Sequence, residues 1–157
     1  EHIYVLDDHS TDRTSAIALQ HTITVVRNDM NMRKTRTIEQ ALKTLSLASR
    51  YRYVSVIDAD TMVHQDFFRH TLAAFKHTSD AAAICGQPRS IPHNWLTAFR
   101  AVEYAFTLWA FKEAQSKYNV VMVAPGCATT YRSEVLAGID WHPEDIIIED
   151  NDCGVGF

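Results

Sequence analysis

A chain of 157 residues, 46% of them hydrophobic, is long enough for one compact domain with its own core and small for a layered α/β enzyme. Its formal charge of -4 and isoelectric point near 6.0 argue against a basic face, so nucleic acid is not an expected partner and an anionic ligand would need local help. Three cysteines, Cys85, Cys127 and Cys153, lack the close pairing of a zinc site or disulfide framework and point to a reducing compartment.

The chain runs at once into Ile3-Tyr4-Val5-Leu6 and shows no signal peptide. Its most apolar stretch, residues 101–111, is too short for a membrane span and carries Glu103, so this piece is expected to be soluble. Both ends read as cut, which leaves room for flanking segments, membrane helices included, in a longer protein. One domain over residues 1–157, without internal repeats, is expected.

Short apolar runs alternate with helical periodicities, the pattern of βα units and a mostly parallel sheet flanked by helices. Residues 3–6 read as a buried strand, 14–20 as a helix capped by Ser10 or Thr11, and 23–26 as a second strand. Ile38, Ala41, Leu42, Leu45 and Ala48 follow the spacing of one helix with a buried face. A strand over 53–57, a helix over 65–76 and a strand over 81–85 come next. A longer helix is predicted within 95–115, then a strand over 120–124 and a turn at Pro125-Gly126. His64, His70 and His77 belong to an exposed face rather than a metal site. Trp95 and Trp109 are read as core, whereas Trp141 is kept as a platform for an acceptor sugar.

Carboxylates stand where apolar runs end: Asp7 and Asp8, then Asp58 and Asp60, then Glu149 and Asp150. In open parallel sheets, ligands gather at these carboxyl ends. In extended backbone, residues two apart point the same way, so Asp58 and Asp60 are expected to face one site. Such a pair suits Mg²⁺ or Mn²⁺, hard cations that take oxygen ligands and share their remaining positions with phosphates. A bridging cation would let an acidic crevice hold a diphosphate and would stabilise it as it departs. No glycine cradle of the G-x-x-x-x-G-K-[ST] or G-x-G-x-x-G type is present, which leaves the phosphates to the metal. Capping explains Ser10, Thr11 and Asp12 but not two consecutive aspartates, which are positioned to accept hydrogen bonds from a base or ribose. A carboxylate at the rim of Ile146-Ile147-Ile148 can have its pKa raised enough to act as a general base on a sugar hydroxyl, and Asp150 is the candidate.

Four segments carry a resemblance: Val5-Leu6-Asp7-Asp8-His9-Ser10-Thr11-Asp12-Arg13-Thr14, Val56-Ile57-Asp58-Ala59-Asp60-Thr61, Pro125-Gly126-Cys127-Ala128-Thr129-Thr130-Tyr131-Arg132 and Ile148-Glu149-Asp150-Asn151-Asp152. In that order they resemble the family 2 inverting glycosyltransferases, above all the processive, membrane-associated polysaccharide synthases that make cellulose, chitin, hyaluronan and poly-N-acetylglucosamine. The resemblance implies a GT-A fold, incomplete at the N-terminus, and transfer of a sugar from a nucleotide diphosphate donor, UDP-linked in this family, to a carbohydrate acceptor hydroxyl. It implies Asp8 near the nucleotide base, Asp58 near the uridine or ribose, and Asp60 on the metal and diphosphate. Asp150 would deprotonate the acceptor, with Glu149 beside it, and Gly126 and Cys127 would lie beside the donor sugar or acceptor end. The full protein would work at the cytoplasmic face of a membrane, with the stretch around Glu103 and Tyr104 near that surface.

The chain also departs from the family pattern. The opening strand that ends in a Pro-x-Tyr-Asn-Glu-like segment is absent, as is the downstream Gln-x-x-Arg-Trp acceptor motif. Where a Gly-Lys-Ala-x-Ala-Leu-Asn-like stretch is expected, the chain has Met32-Arg33-Lys34-Thr35-Arg36-Thr37; Lys34 survives to reach phosphate, but the glycine is lost. Two other readings stand beside this one. A haloacid-dehalogenase-like phosphatase would use Asp58 as nucleophile and Asp60 as acid and base, but leaves Asp7 and Asp8 idle. A non-catalytic nucleotide-sugar-binding domain would fit the altered stretch around Lys34.

Overall fold

A computed structural model describes residues 2–21, 23–89, 91–106 and 127–138. Strand β1 (Tyr4–Asp7) leads through a polar turn into helix α1 (Thr14–Leu19), and β2 (Thr24–Arg27) returns to pair with β1 in parallel, Tyr4 opposite Thr24 and Asp7 opposite Arg27. This is the βα unit that the alternating pattern foretold. Neither Ser10 nor Thr11 caps α1. The cap position falls to Arg13, which makes no side-chain capping bond, and the Asp12 carboxylate just before it accepts from the Thr14 backbone N–H at 2.9 Å and from its hydroxyl at 2.5 Å.

The periodic stretch from Ile38 to Ala48 folds as two helices rather than one, α2 (Arg33–Thr44) and the single turn α3 (Leu47–Arg50). The break falls at Ser46, whose φ of 51° lies in the left-handed region and cannot continue a right-handed helix. The buried face survives the break, since Ile38, Ala41, Leu42 and Leu47 are all in the core. Strand β3 (Tyr53–Ile57), helix α4 (Phe67–His77), strand β4 (Ala83–Cys85) and helix α5 (Trp95–Tyr104) follow in the expected order. Asn94 closes the N-terminus of α5 in a capping box with Thr97.

Strand β5 (Ala128–Arg132) was not foreseen, and it changes the sheet. It lies between β3 and β4 and runs antiparallel to both, so the mostly parallel expectation holds for β1 and β2 but not for this second sheet. Ala-Thr-Thr-Tyr-Arg has no apolar run to announce a strand. Its small polar residues are nonetheless buried, and Ser55 and Thr130 share a 2.7 Å hydrogen bond across the ladder. Helix α6 (Ser133–Gly138) follows β5 directly. The strand and turn expected over 120–126 lie outside the described residues.

One apolar core joins these parts. Ile38 and Leu42 of α2, Leu47 of α3, Tyr131 of β5 and Leu136 of α6 form its centre, with Tyr4 and Leu6 of β1 and Val54 and Val56 of β3 against it. The two sheets therefore share a hydrophobic interior even though no ladder between them is formed among the described strands. Trp95, expected in the core, is 81% exposed, and Leu96, Phe99, Val102 and Phe106 of the same segment are exposed with it. His64, His70 and His77 are exposed. Among the described residues no helix is long and apolar enough to cross a membrane.

Candidate active site

The topology directs strand ends toward one another. Strands β3 and β4 point the same way, and their last residues, Ile57 and Cys85, pair with Ala128 and Thr129 at the start of β5. The backbone N–H of Asp58 donates to the Cys127 carbonyl at 3.0 Å and that of Gly86 to the Ala128 carbonyl at 2.7 Å, which extends the ladder into the loops. A side chain on Gly86 would meet Phe67 at 3.0 Å and the Ala128 carbonyl at 3.2 Å, so this close approach wants glycine.

Extended backbone does not continue past Ile57. The Thr61 N–H donates to the Asp58 carbonyl at 3.0 Å, folding residues 58–61 into a turn, so the strand alternation expected to align Asp58 with Asp60 does not apply. Asp58 is half-buried, and its Oδ1 lies 2.9 Å from Nζ of Lys34, both side chains being 33% exposed. Asp60 is exposed and makes no hydrogen bond or ion pair among the described residues. Lys34, which the sequence pointed toward phosphate, thus meets a carboxylate in the ligand-free chain. Cys127 stands beside the pair. Burial, assisted by the nearby charge of Asp58 and opposed by Lys34, pushes its thiol above the usual range, so the thiol stays protonated at neutral pH.

The two aspartates after β1 divide their work. The Asp7 carboxylate is fully enclosed, with Oδ1 accepting from the Ser10 N–H at 2.8 Å, Oδ2 accepting from the Ser15 hydroxyl, and Arg27 at 3.6 Å. Hydrogen bonds from Ser10 and Ser15 hold it down to about 2, against the opposing effect of burial. It ties the β1–α1 turn together and presents no open oxygen. Asp8 is half-buried, and its Oδ1 accepts from the Met32 backbone N–H at 2.7 Å and from Asn28 Nδ2 at 2.8 Å. Burial works to raise its pKa, but the Met32, Asn28 and Thr37 hydrogen bonds outweigh it and leave it below the usual carboxylate range. His9 follows with φ 65°, a left-handed conformation at the turn's apex.

Asn28 and Thr37 escaped the sequence reading. Asn28, buried at the exit of β2, donates from Nδ2 to both Asp8 Oδ1 and Thr37 Oγ1, the latter at 2.7 Å, and its N–H donates to the Asp7 carbonyl at 2.9 Å. Its position at a strand exit, equivalent to those of Asp8 and Asp58, was the available signal. Arg33 is the other finding: it has φ 67°, the left-handed region, at the place where the sequence pattern wanted glycine.

Among the described residues no group of three or more His, Cys, Asp or Glu is assembled to hold a metal. Asp60 nonetheless offers an unpaired carboxylate in open solvent beside Asp58. Asp58 is taken up by Lys34, so Asp60 is the one open carboxylate of the two, and a hard cation that keeps most of its waters and completes its shell from phosphate oxygens would fit such a single ligand. Gly126, Trp141, Glu149 and Asp150 lie outside the described residues.

The chain is thus an α/β protein with acidic residues collected at strand ends, a lysine among them and no glycine cradle. The sequence pattern described as "Glycosyl transferase family 2" matches residues 1–139, and the chain belongs to that family. Its fold is accordingly GT-A, and the dehalogenase-like alternative falls away. Over 153 residues it is 26% identical to a protein named poly-beta-1,6-N-acetyl-D-glucosamine synthase from Staphylococcus epidermidis, and 27% identical to one of the same name from Staphylococcus aureus strain COL. Each alignment covers 94% of this chain and 36% of the relative, so the chain spans a little over a third of their length.

Proposed function

We propose that this chain is the donor-binding part of a single catalytic domain that transfers a sugar from a UDP-linked donor to a carbohydrate acceptor hydroxyl in polysaccharide synthesis, with inversion and with Mg²⁺ or Mn²⁺. The observation that carries the proposal is the grouping of Lys34, Asp58 and Cys127 with an open Asp60 at the end of β3. Bound at Asp60, the cation would neutralise the diphosphate and stabilise it as a leaving group. Lys34, held at the rim by Asp58, supplies a second positive charge that can turn from carboxylate to phosphate over a short distance. Asp58 keeps its carboxylate beside the lysine and so fixes where the ribose and the first phosphate can lie. Asp8, oriented by its three donors, lines the nucleotide side, and Asp7 supports it through the β1–α1 turn. The protonated Cys127 thiol offers a small neutral wall beside the donor sugar rather than a nucleophile. Asp150 acts as the base on the acceptor, with Glu149, Gly126 and Trp141 contributing to the acceptor side. The full protein works at the cytoplasmic face of a membrane, a reading that rests on the resemblance to the membrane-associated polysaccharide synthases.

A calorimetric titration of UDP into the chain with Mn²⁺, and again without it, tests this reading. Binding is expected only with the cation and is expected to vanish in Asp60→Asn. A folded chain that ignores UDP under both conditions would overturn it. In the full-length protein, Asp150→Asn is expected to abolish turnover and keep UDP affinity within about twofold of wild type. Normal turnover by that variant would move the base elsewhere.

A further inference from the structure

We propose that Asn28 is a positioning residue for the donor diphosphate: from the end of β2 it holds Asp8 and Thr37 together and so sets the direction in which Lys34 leaves α2. This rests on the reading that Lys34 faces a nucleoside diphosphate. Asn28 is 4% exposed and Thr37 4% exposed, so the bond between them is made in the interior, where water does not replace it, and the same buried amide reaches out to the half-buried Asp8. The Thr37 hydroxyl accepts from the same Asn28 amide that donates to Asp8, so the one side chain bridges the two residues. Asp8 in turn accepts from the Met32 N–H, immediately before α2 begins. Thr37 stands three residues after Lys34 and therefore on the same face of the helix. The first turn of α2 is thus gripped at both of its ends, at Met32 and at Thr37, and the residue between them is the one that reaches Asp58.

This grip also accounts for Arg33. A left-handed residue at the start of a helix is disfavoured and persists only where its surroundings hold it. The Asp8 carboxylate, accepting on one side of Arg33, and the Asn28–Thr37 bond on the other supply that restraint.

The test compares UDP with uridine, each titrated with Mn²⁺ into the full chain; the ratio of the two affinities isolates what the diphosphate adds. Asn28→Ala is expected to lower that ratio about tenfold, with uridine binding weakened less than UDP binding because Asp8 keeps its bond from the Met32 N–H. Lys34→Ala is expected to lower it similarly, and the double variant no further than Lys34→Ala alone. Additive losses in the double variant, or an equal loss for uridine and UDP, would overturn the positioning role while leaving the donor site standing. Should Asn28→Ala not fold, Asp8→Asn and Asp8→Ala take its place. The amide oxygen of the first still accepts from Met32 and Asn28, so the ratio is expected to survive in Asn and fall in Ala; survival in both overturns the inference. A wild-type chain that binds UDP no better than uridine would remove the proposed function itself, and this inference with it.

Discussion

Asp7 and Asp8 are neighbours in sequence with opposite fates, because a strand exit points successive side chains to opposite sides. Asp7 turns inward, and the hydrogen bonds that hold its carboxylate near 2 tie its charge to stability. Since the folded pKa lies below the unfolded one, its contribution is complete above about pH 4 and lost as pH falls toward 2. Wild type is therefore expected to lose about 2 kcal/mol more than Asp7→Asn between pH 5 and pH 2, read from urea unfolding at each pH. Equal pH dependence in the two chains would show that the turn is held without the charge. Asp60 is the contrasting case. It is exposed and unpaired among the described residues, so Asp60→Asn is expected to leave stability within about 0.5 kcal/mol of wild type while metal-dependent UDP binding disappears.

Helix α2 is where local rules and tertiary demands disagree most openly. Its apolar face was readable, and Ile38, Ala41 and Leu42 are buried as the spacing required. Its start was not, because Arg33 is held in a conformation that glycine takes without penalty. Arg33→Gly is expected to stabilise the chain by about 1 kcal/mol, the left-handed penalty less the extra entropy that glycine brings to the unfolded state. A destabilised variant would mean that the Arg33 side chain makes contacts worth more than the strain. Ser46 plays the same part at the other end, since its left-handed φ lets the chain turn from α2 into α3 and keep Leu47 in the core.

The core crosses from the β1–β2 pair to the β3–β5–β4 sheet through α2, α3 and α6, so the two sheets are expected to unfold together. Leu136→Ala, which hollows that shared interior from α6, is expected to cost about 3 kcal/mol. It should lower hydrogen-exchange protection in β1 and in β3 by the same free energy. Protection lost in β3 alone would mean that the β1–β2 pair has a separate source of stability. The exposed apolar side of α5, with Trp95, Phe99 and Val102, takes no part in that interior.

Helix periodicity and the strand exits at Asp7-Asp8 and at Asp58 were legible in the sequence because they follow from short-range rules: a buried strand needs an apolar run, and polar residues collect where the run ends. The family resemblance followed from the same segments, and residues 1–139 match that family. Strand β5 was hidden because its burial is created by β3 and β4 on either side, and nothing in Ala-Thr-Thr-Tyr-Arg announces such neighbours. The same holds for the site's interior. No spacing rule connects Asn28 with Asp8 and Thr37, or Lys34 with Asp58. These pairs meet only once the shared core has brought β1, β2, α2 and β3 together, and burial then makes each hydrogen bond costly to lose. Local chemistry therefore determined which residues stand at the strand ends, and tertiary packing decided which of them hold the structure and which stay open to a ligand.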